Sequence, residues 1–176
     1  ATNGLLDLVD TDPLNEEVYT ALFDAFNVAK DVQNIILNYD ALRKKGKASK
    51  KYLYILIHLY CCSGKYEDAM KVSQEEIDKQ PDNPYLHVFL SRIYQQLMEY
   101  PKAISCIKEA MRLDKQHGER YRSAFDELIK NLSIYEKKLI ESINTHIKNK
   151  RCLDAIHSSE KLLEITPEKK PIKQSL

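Results

Sequence analysis

Residues 50–83 read KKYLYILIHLYCCSGKYEDAMKVSQEEIDKQPDN, and residues 84–117 read PYLHVFLSRIYQQLMEYPKAISCIKEAMRLDKQH. The two 34-residue stretches overlay without a gap: Leu56 falls on Leu90, Tyr60 on Tyr94, Tyr66 on Tyr100, Ala69 on Ala103 and Ile77 on Met111. A fixed period of this size marks a stacked-repeat architecture, because each unit can bury its apolar face only against its neighbours.

Each stretch reads as two antiparallel helices. Asn83 is a good N-cap, and Pro84 stands at the first helical position, where its missing N–H costs nothing. Leu86, Leu90, Ile93 and Tyr94 then recur at helical spacing. Residues 97–99 end that helix and Pro101 opens the next, whose facing stripe is Ala103, Ile104, Ile107, Ala110, Met111 and Leu113. In the preceding stretch Gly64 marks the turn and Pro81 closes the second helix. Ala69 and Ala103 let paired helices approach closely.

Period, pairing and residue choice resemble the tetratricopeptide repeat family. Residues 50–83 supply Leu53, Leu56, Tyr60, Gly64, Tyr66, Ala69 and Pro81 of its pattern, and residues 84–117 supply Leu90, Ser91, Tyr94, Tyr100, Ala103 and Ala110. Ile57 and Glu76 depart from it by replacing small residues, Ser73 replaces an aromatic, and Met98 replaces the turn glycine. The same register predicts a repeat over 16–49, with Tyr19, Leu22, Phe26, Val32, Ile35, Tyr39 and Leu42, and another over 136–169, with Leu139, Ala155, Leu162 and Pro167. Residues 1–15 read as the end of a truncated upstream repeat, 118–135 as a spacer helix and 170–176 as a tail. The expected fold is therefore all-α, a right-handed α-α superhelical solenoid of TPR-like helix pairs. Across 119–148 two helices abutting at 131–133 are expected, where Ser133 and Glu136 form a capping box; one long bent helix is the alternative.

Composition narrows the function classes. A 43% hydrophobic content is enough for a continuous core, and no apolar run approaches the length that spans a membrane. Cys61 and Cys62 are adjacent on one helix, while Cys106 and Cys152 fall on separate units, which favours a reduced, intracellular protein, cytoplasmic or nuclear. The net charge of +1 hides an asymmetry: residues 1–40 hold eight acids and one lysine, the remainder 18 acids and 26 bases. Opposed ends of this kind favour head-to-tail packing or two partner surfaces.

The family resemblance implies that first helices line a concave groove, with repeat positions 2, 5, 9, 12 and 13 pointing into it. By register the middle units place Lys51, Tyr54, His58, Tyr85, Arg92 and Gln96 there, a platform for a partner peptide or helix. The last unit places Lys137, Ile140, Asn144, Ile147 and Lys148. Tyrosines offer stiff contact area, Lys51 and Arg92 meet acidic groups, and Gln96 pairs with an extended backbone. The Lys and Asn set with which some relatives clamp the C-terminal carboxylate of heat-shock chaperones is missing, so no such tail is expected. Shorter echoes, residues 12–19 of bacterial transcription regulators and 112–114 of J-domain co-chaperones, give the alternative of a regulatory or assembly module within a larger protein.

Catalytic and cofactor readings fail on residue type. His58, Cys61 and Cys62 share one helix and complete no tetrahedral metal site, and residues 63–65 lack the glycine and hydroxyl of a phosphate loop. No enzyme activity and no cofactor are expected. The run RKKGKASKK over 43–51 is the densest charge in the chain and gives a third alternative, nucleic-acid contact. It has no interleaved aromatics, and a helix C-terminus favours such cations in any case. The expected function is a non-enzymatic scaffold or adaptor that binds a partner protein.

Overall fold

The computed structural model describes residues 2–116 and 118–166. His117, Pro167 and the tail over 170–176 lie outside the described residues. Nine helices follow in order, with no strand among the described residues: α1 Thr2–Thr11, α2 Glu16–Val28, α3 Val32–Lys44, α4 Lys50–Cys62, α5 Tyr66–Lys79, α6 Pro84–Gln96, α7 Tyr100–Leu113, α8 Arg122–Lys148 and α9 Cys152–Ile165. A 3-10 turn, Gly118–Tyr121, precedes α8. The fold is an all-α solenoid of TPR-like helix pairs.

Helix starts follow local chemistry. The Asn15 carboxamide accepts from the N–H groups of Glu17 and Val18 at 3.1 and 3.3 Å, and Glu16 and Glu17 place negative charge at the positive end of α2. Asn83 accepts from Tyr85 N–H at 3.1 Å, with Pro84 opening α6.

Helix ends carry the register. Lys30, Gly64, Met98 and Lys150 have φ of 54°, 70°, 60° and 56°. They stand at position 15 of the units beginning at residues 16, 50, 84 and 136. Three of the four are not glycine, yet all take the same left-handed turn. The following N–H reaches back in each case: Asp31 to Phe26 O, Lys65 to Tyr60 O, Glu99 to Tyr94 O and Arg151 to His146 O, at 2.8–3.0 Å. These bonds satisfy carbonyls that the helix end would otherwise orphan. The turn at Lys150 follows that at Met98 by 52 residues, one 34-residue period plus the 18 residues over 118–135.

Five residues after each left-handed position stands the residue that sets how closely the pair packs. Ala69, Ala103 and Ala155 are buried there, whereas the first unit has Ile35. α6 and α7 approach most intimately, while the α2 and α3 backbones barely meet. In the α6–α7 pair Ser91, Ala103 and Ala110 are all small, and the Ser91 hydroxyl donates to Ala103 C=O across the interface at 2.8 Å. With Phe23 and Ile35 at the equivalent places, α2 and α3 are held apart.

The break expected at 131–133 does not occur: α8 is one helix from Arg122 to Lys148. Its 27 residues contain no glycine or proline, and Ser133 is exposed without capping anything. Its two halves face different neighbours. Ala124, Phe125, Leu128 and Leu132 join the cluster formed by Val88, Ala103, Ile104 and Ile107, and beyond them the helix packs on α9. Unbroken backbone hydrogen bonding outweighs a local capping signal where both halves find apolar partners.

Two substitutions test this reading. Met98→Gly removes the left-handed penalty from an exposed side chain and should stabilise the chain by roughly 0.5–1 kcal/mol in urea denaturation, against the usual sense of a glycine substitution. Ala103→Leu should destabilise by at least ~1–3 kcal/mol, because it overpacks the closest pair and separates Ser91 from its acceptor.

Candidate functional site

The six side chains that the register places in the groove fall into three settings. Lys51, Tyr54 and Tyr85 line one cleft of about 640 Å³, bounded by the α1–α2 turn, the start of α4 and the α5–α6 turn. His58 and Arg92 lie under residues of α2 and the turn before it. Gln96 is exposed at the C-terminal end of α6.

Within the cleft, Tyr54 is only 3% exposed. Its hydroxyl and the Asn83 carboxamide are hydrogen-bonded, with Asn83 Nδ2 donating at 3.0 Å. Its ring lies 5.2 Å from Phe89 and 6.1 Å from Tyr85. Tyr54 therefore ties α4 to the cap of α6, and burial raises its pKa. Tyr85 remains half-buried. Lys51 forms an ion pair with Asp10 of α1 at 2.5 Å, and Lys50 stands exposed beside it.

Beyond the cleft, the chain's own N-terminal part covers His58 and Arg92. The Tyr19 ring stacks on His58 at 4.9 Å and meets Phe89 edge-on at 5.8 Å, and its hydroxyl donates to Pro13 C=O at 2.9 Å. Arg92 donates through Nη2 to Leu14 C=O at 3.0 Å, pairs through Nε with Glu16 at 2.9 Å, and lies 5.7 Å over the Phe89 ring. Arg120 reaches Asp12 at 3.3 Å. Acids 10, 12 and 16 thus meet cations 51, 120 and 92, so part of the acidic N-terminal charge is matched within the molecule. Tyr19, Leu14 and Glu16 matter to this face and were absent from the sequence-derived set. The charge asymmetry was the one signal that pointed toward them.

Burial, reinforced by the Arg92 charge, lowers the His58 pKa to about 4, so the imidazole is neutral near pH 7. Burial pushes the neighbouring Cys61 thiol up to about 12 and the Cys106 thiol up to about 11, while Cys62 is exposed. All four cysteines are free thiols. Among the described residues no group of three His, Cys, Asp or Glu side chains is placed to hold a metal ion.

Half of the six basic residues in the run over 43–51 are engaged in ion pairs. Arg43, 8% exposed, donates to Asp40 at 3.0 Å and Glu75 at 2.6 Å and approaches Glu76 at 3.5 Å, while Lys44 pairs with Asp40 at 2.6 Å. Burial works against the Asp40 carboxylate, but hydrogen bonds from Lys44 and Arg43 hold its pKa below the usual value. Glu76, where a small residue was expected, is the buried acid that joins this cluster across α3 and α5. With Arg43, Lys44 and Lys51 paired, Lys45, Lys47 and Lys50 are left as the loop's exposed cations.

No protein-family model and no curated protein matches the sequence. Among solved structures, the crystal structure of MamA protein superposes on 100% of this chain and 86% of that one, with a TM-score of 0.51 and 15% sequence identity. At that identity the likeness shows the fold, a TPR-like helical repeat array. No described helix is long and apolar enough to cross a membrane.

The His58 site predicts a pH dependence of stability. Its folded pKa of about 4 lies below the ordinary 6.5, so the unfolded chain binds the proton more readily between these values. Stability from the neutral, buried ring is full above pH 6.5 and falls as pH drops toward 4, by on the order of 3 kcal/mol. Urea midpoints at about pH 7 and about pH 4.5 should therefore diverge more in the native chain than in His58→Gln. An equal divergence would contradict this assignment.

Proposed function

We propose that this chain is a non-enzymatic, intracellular protein-interaction scaffold. A partner peptide or helix engages the cleft formed by Lys51, Tyr54 and Tyr85; His58 and Arg92, covered by Tyr19, Leu14 and Glu16, back the adjoining face, and Gln96 stays exposed at the end of α6. The observation that carries this reading is the cleft itself: a half-buried tyrosine and two lysines border an open space between helices whose backbones are fixed by packing. Tyr85 supplies rigid area with little entropy to lose, and Lys50, exposed beside the Lys51–Asp10 pair, supplies a cation for an acidic partner residue. The four free thiols accord with a reducing compartment, cytoplasmic or nuclear. The fold offers a second line of support by analogy, since arrays of this kind commonly hold proteins.

Site-specific photocrosslinking tests the proposal. A photoreactive phenylalanine analogue at position 85 should capture a partner in cells, and the same analogue at exposed Glu67 on α5 should not. With that partner purified, Tyr85→Ala should weaken binding about tenfold without changing the helical circular dichroism signal. Equal capture from both positions, or unchanged affinity in Tyr85→Ala, would remove the cleft from consideration.

A further inference from the structure

Among the described residues, the pair α8–α9 leaves bare a surface that earlier pairs bury. α6 seats between α4 and α5. Tyr54, at repeat position 5, lies against Phe89 of α6, and Ile77, at position 28, lies beside His87 and Leu90. One unit later, Val88 at position 5 and Ile104 at position 21 are both buried in the cluster that Tyr121 and Leu128 cover. The register puts Ile140, Ile147, Ile156 and Leu163 at positions 5, 12, 21 and 28 of the fourth unit. These four are 45%, 62%, 54% and 37% exposed. The seat between α8 and α9 thus repeats the apolar register of the seat between α4 and α5, with no helix in it among the described residues.

We infer that this end face of α8 and α9 docks an amphipathic helix with an acidic edge, supplied by a partner protein. Continuity with the stacking interface defines the shape: two ridges, apolar at the positions that receive a first helix elsewhere in the array. Charge defines the edge. Lys137 and Lys148, at positions 2 and 13 of α8, are exposed and form no ion pair among the described residues, and Lys150 and Arg151 follow in the turn. Glu160 of α9, between Ile156 and Leu163 on the same helical stripe, borders the opposite side, so the occupant's acids face α8. Four aliphatic side chains on adjoining helices form the kind of apolar patch that marks an interaction site. An extended peptide would not reproduce this seat, because its side chains alternate instead of forming one stripe. This site is separate from the cleft at Tyr85, and the two fail independently.

A probe exists within the chain. A peptide of residues 15–30 carries a first-helix apolar stripe with Glu16, Glu17, Asp24 and one lysine. Labelled with fluorescein and titrated with the full chain, it should bind saturably in the micromolar range by anisotropy. Binding should weaken at least tenfold in Ile147→Asp and in Ile156→Asp, and severalfold between about 0.1 M and about 0.5 M salt. Both substitutions are at exposed positions, and thermal melts check that the fold is retained. Absence of binding at about 1 mM chain, or binding indifferent to both substitutions or to salt, would overturn the inference. Self-association of the chain that Ile147→Asp abolishes would assign the face to a second copy and overturn it equally. So would binding that appears only after removal of residues 167–176.

Discussion

A left-handed residue between paired helices is the constraint on which the rest of this molecule depends. For an L-residue other than glycine it costs about 1–2 kcal/mol, because the β-carbon crowds the following carbonyl. Lys30, Met98 and Lys150 bear that cost, and only the second unit uses glycine. What offsets it is the pair of backbone hydrogen bonds that the turn closes, together with the packing that begins one helical turn later. Once the turn is fixed, the second helix must fold back on the first with a given residue facing inward. Alanine at that place lets the backbones close up, and a larger residue keeps them apart.

This accounts for a gradient along the array. The α6–α7 pair has small residues throughout its interface and forms a buried hydroxyl-to-carbonyl bond. The α4–α5 pair tolerates Ile57 and Glu76, and the buried acid is satisfied by Lys79 at 2.7 Å, with Arg43 of the neighbouring helix approaching at 3.5 Å. The α2–α3 pair, with Phe23 and Ile35, is held mainly by other helices: α2 by α1 and α4, α3 by α4. Tyr19 reaches two units ahead, to Phe89, and its ring covers His58. A loosely joined first pair is thus locked by longer-range aromatic and ionic contacts.

Most of the scaffold was legible in spacing alone. The 34-residue overlay located the helix pairs, Asn83 with Pro84 announced the start of α6, and the alanines named the close approaches. Legibility ended where tertiary contacts decide. Ser133 and Glu136 form a reasonable local capping pattern, yet apolar partners on both sides carry α8 straight through it. Arg43 stood in a run of nine mostly basic residues, and nothing local distinguishes it as the one folded inward among acids. Of the six groove positions, the register placed all on first helices, but it could not show that Tyr19 and Leu14 would lie over His58 and Arg92. Position 15 held the clearest unread signal, because Lys30 and Lys150 look like ordinary surface lysines until their phase with Gly64 is noticed.

Function follows from what this geometry leaves open. Leu14, Glu16 and Tyr19 cover Arg92 and His58, the cleft at Tyr85 stays open, and α8 and α9 expose four aliphatic side chains in register. All three depend on a single phase persisting through the inserted residues 118–135. Solution NMR tests that phase most directly. The left-handed turns predict unusually strong intraresidue amide-to-α-proton cross-peaks at Lys30, Met98 and Lys150, with unbroken sequential amide contacts from Arg122 to Lys148. Ordinary right-handed intensities at those three residues, or a helical break near Ser133, would contradict the account.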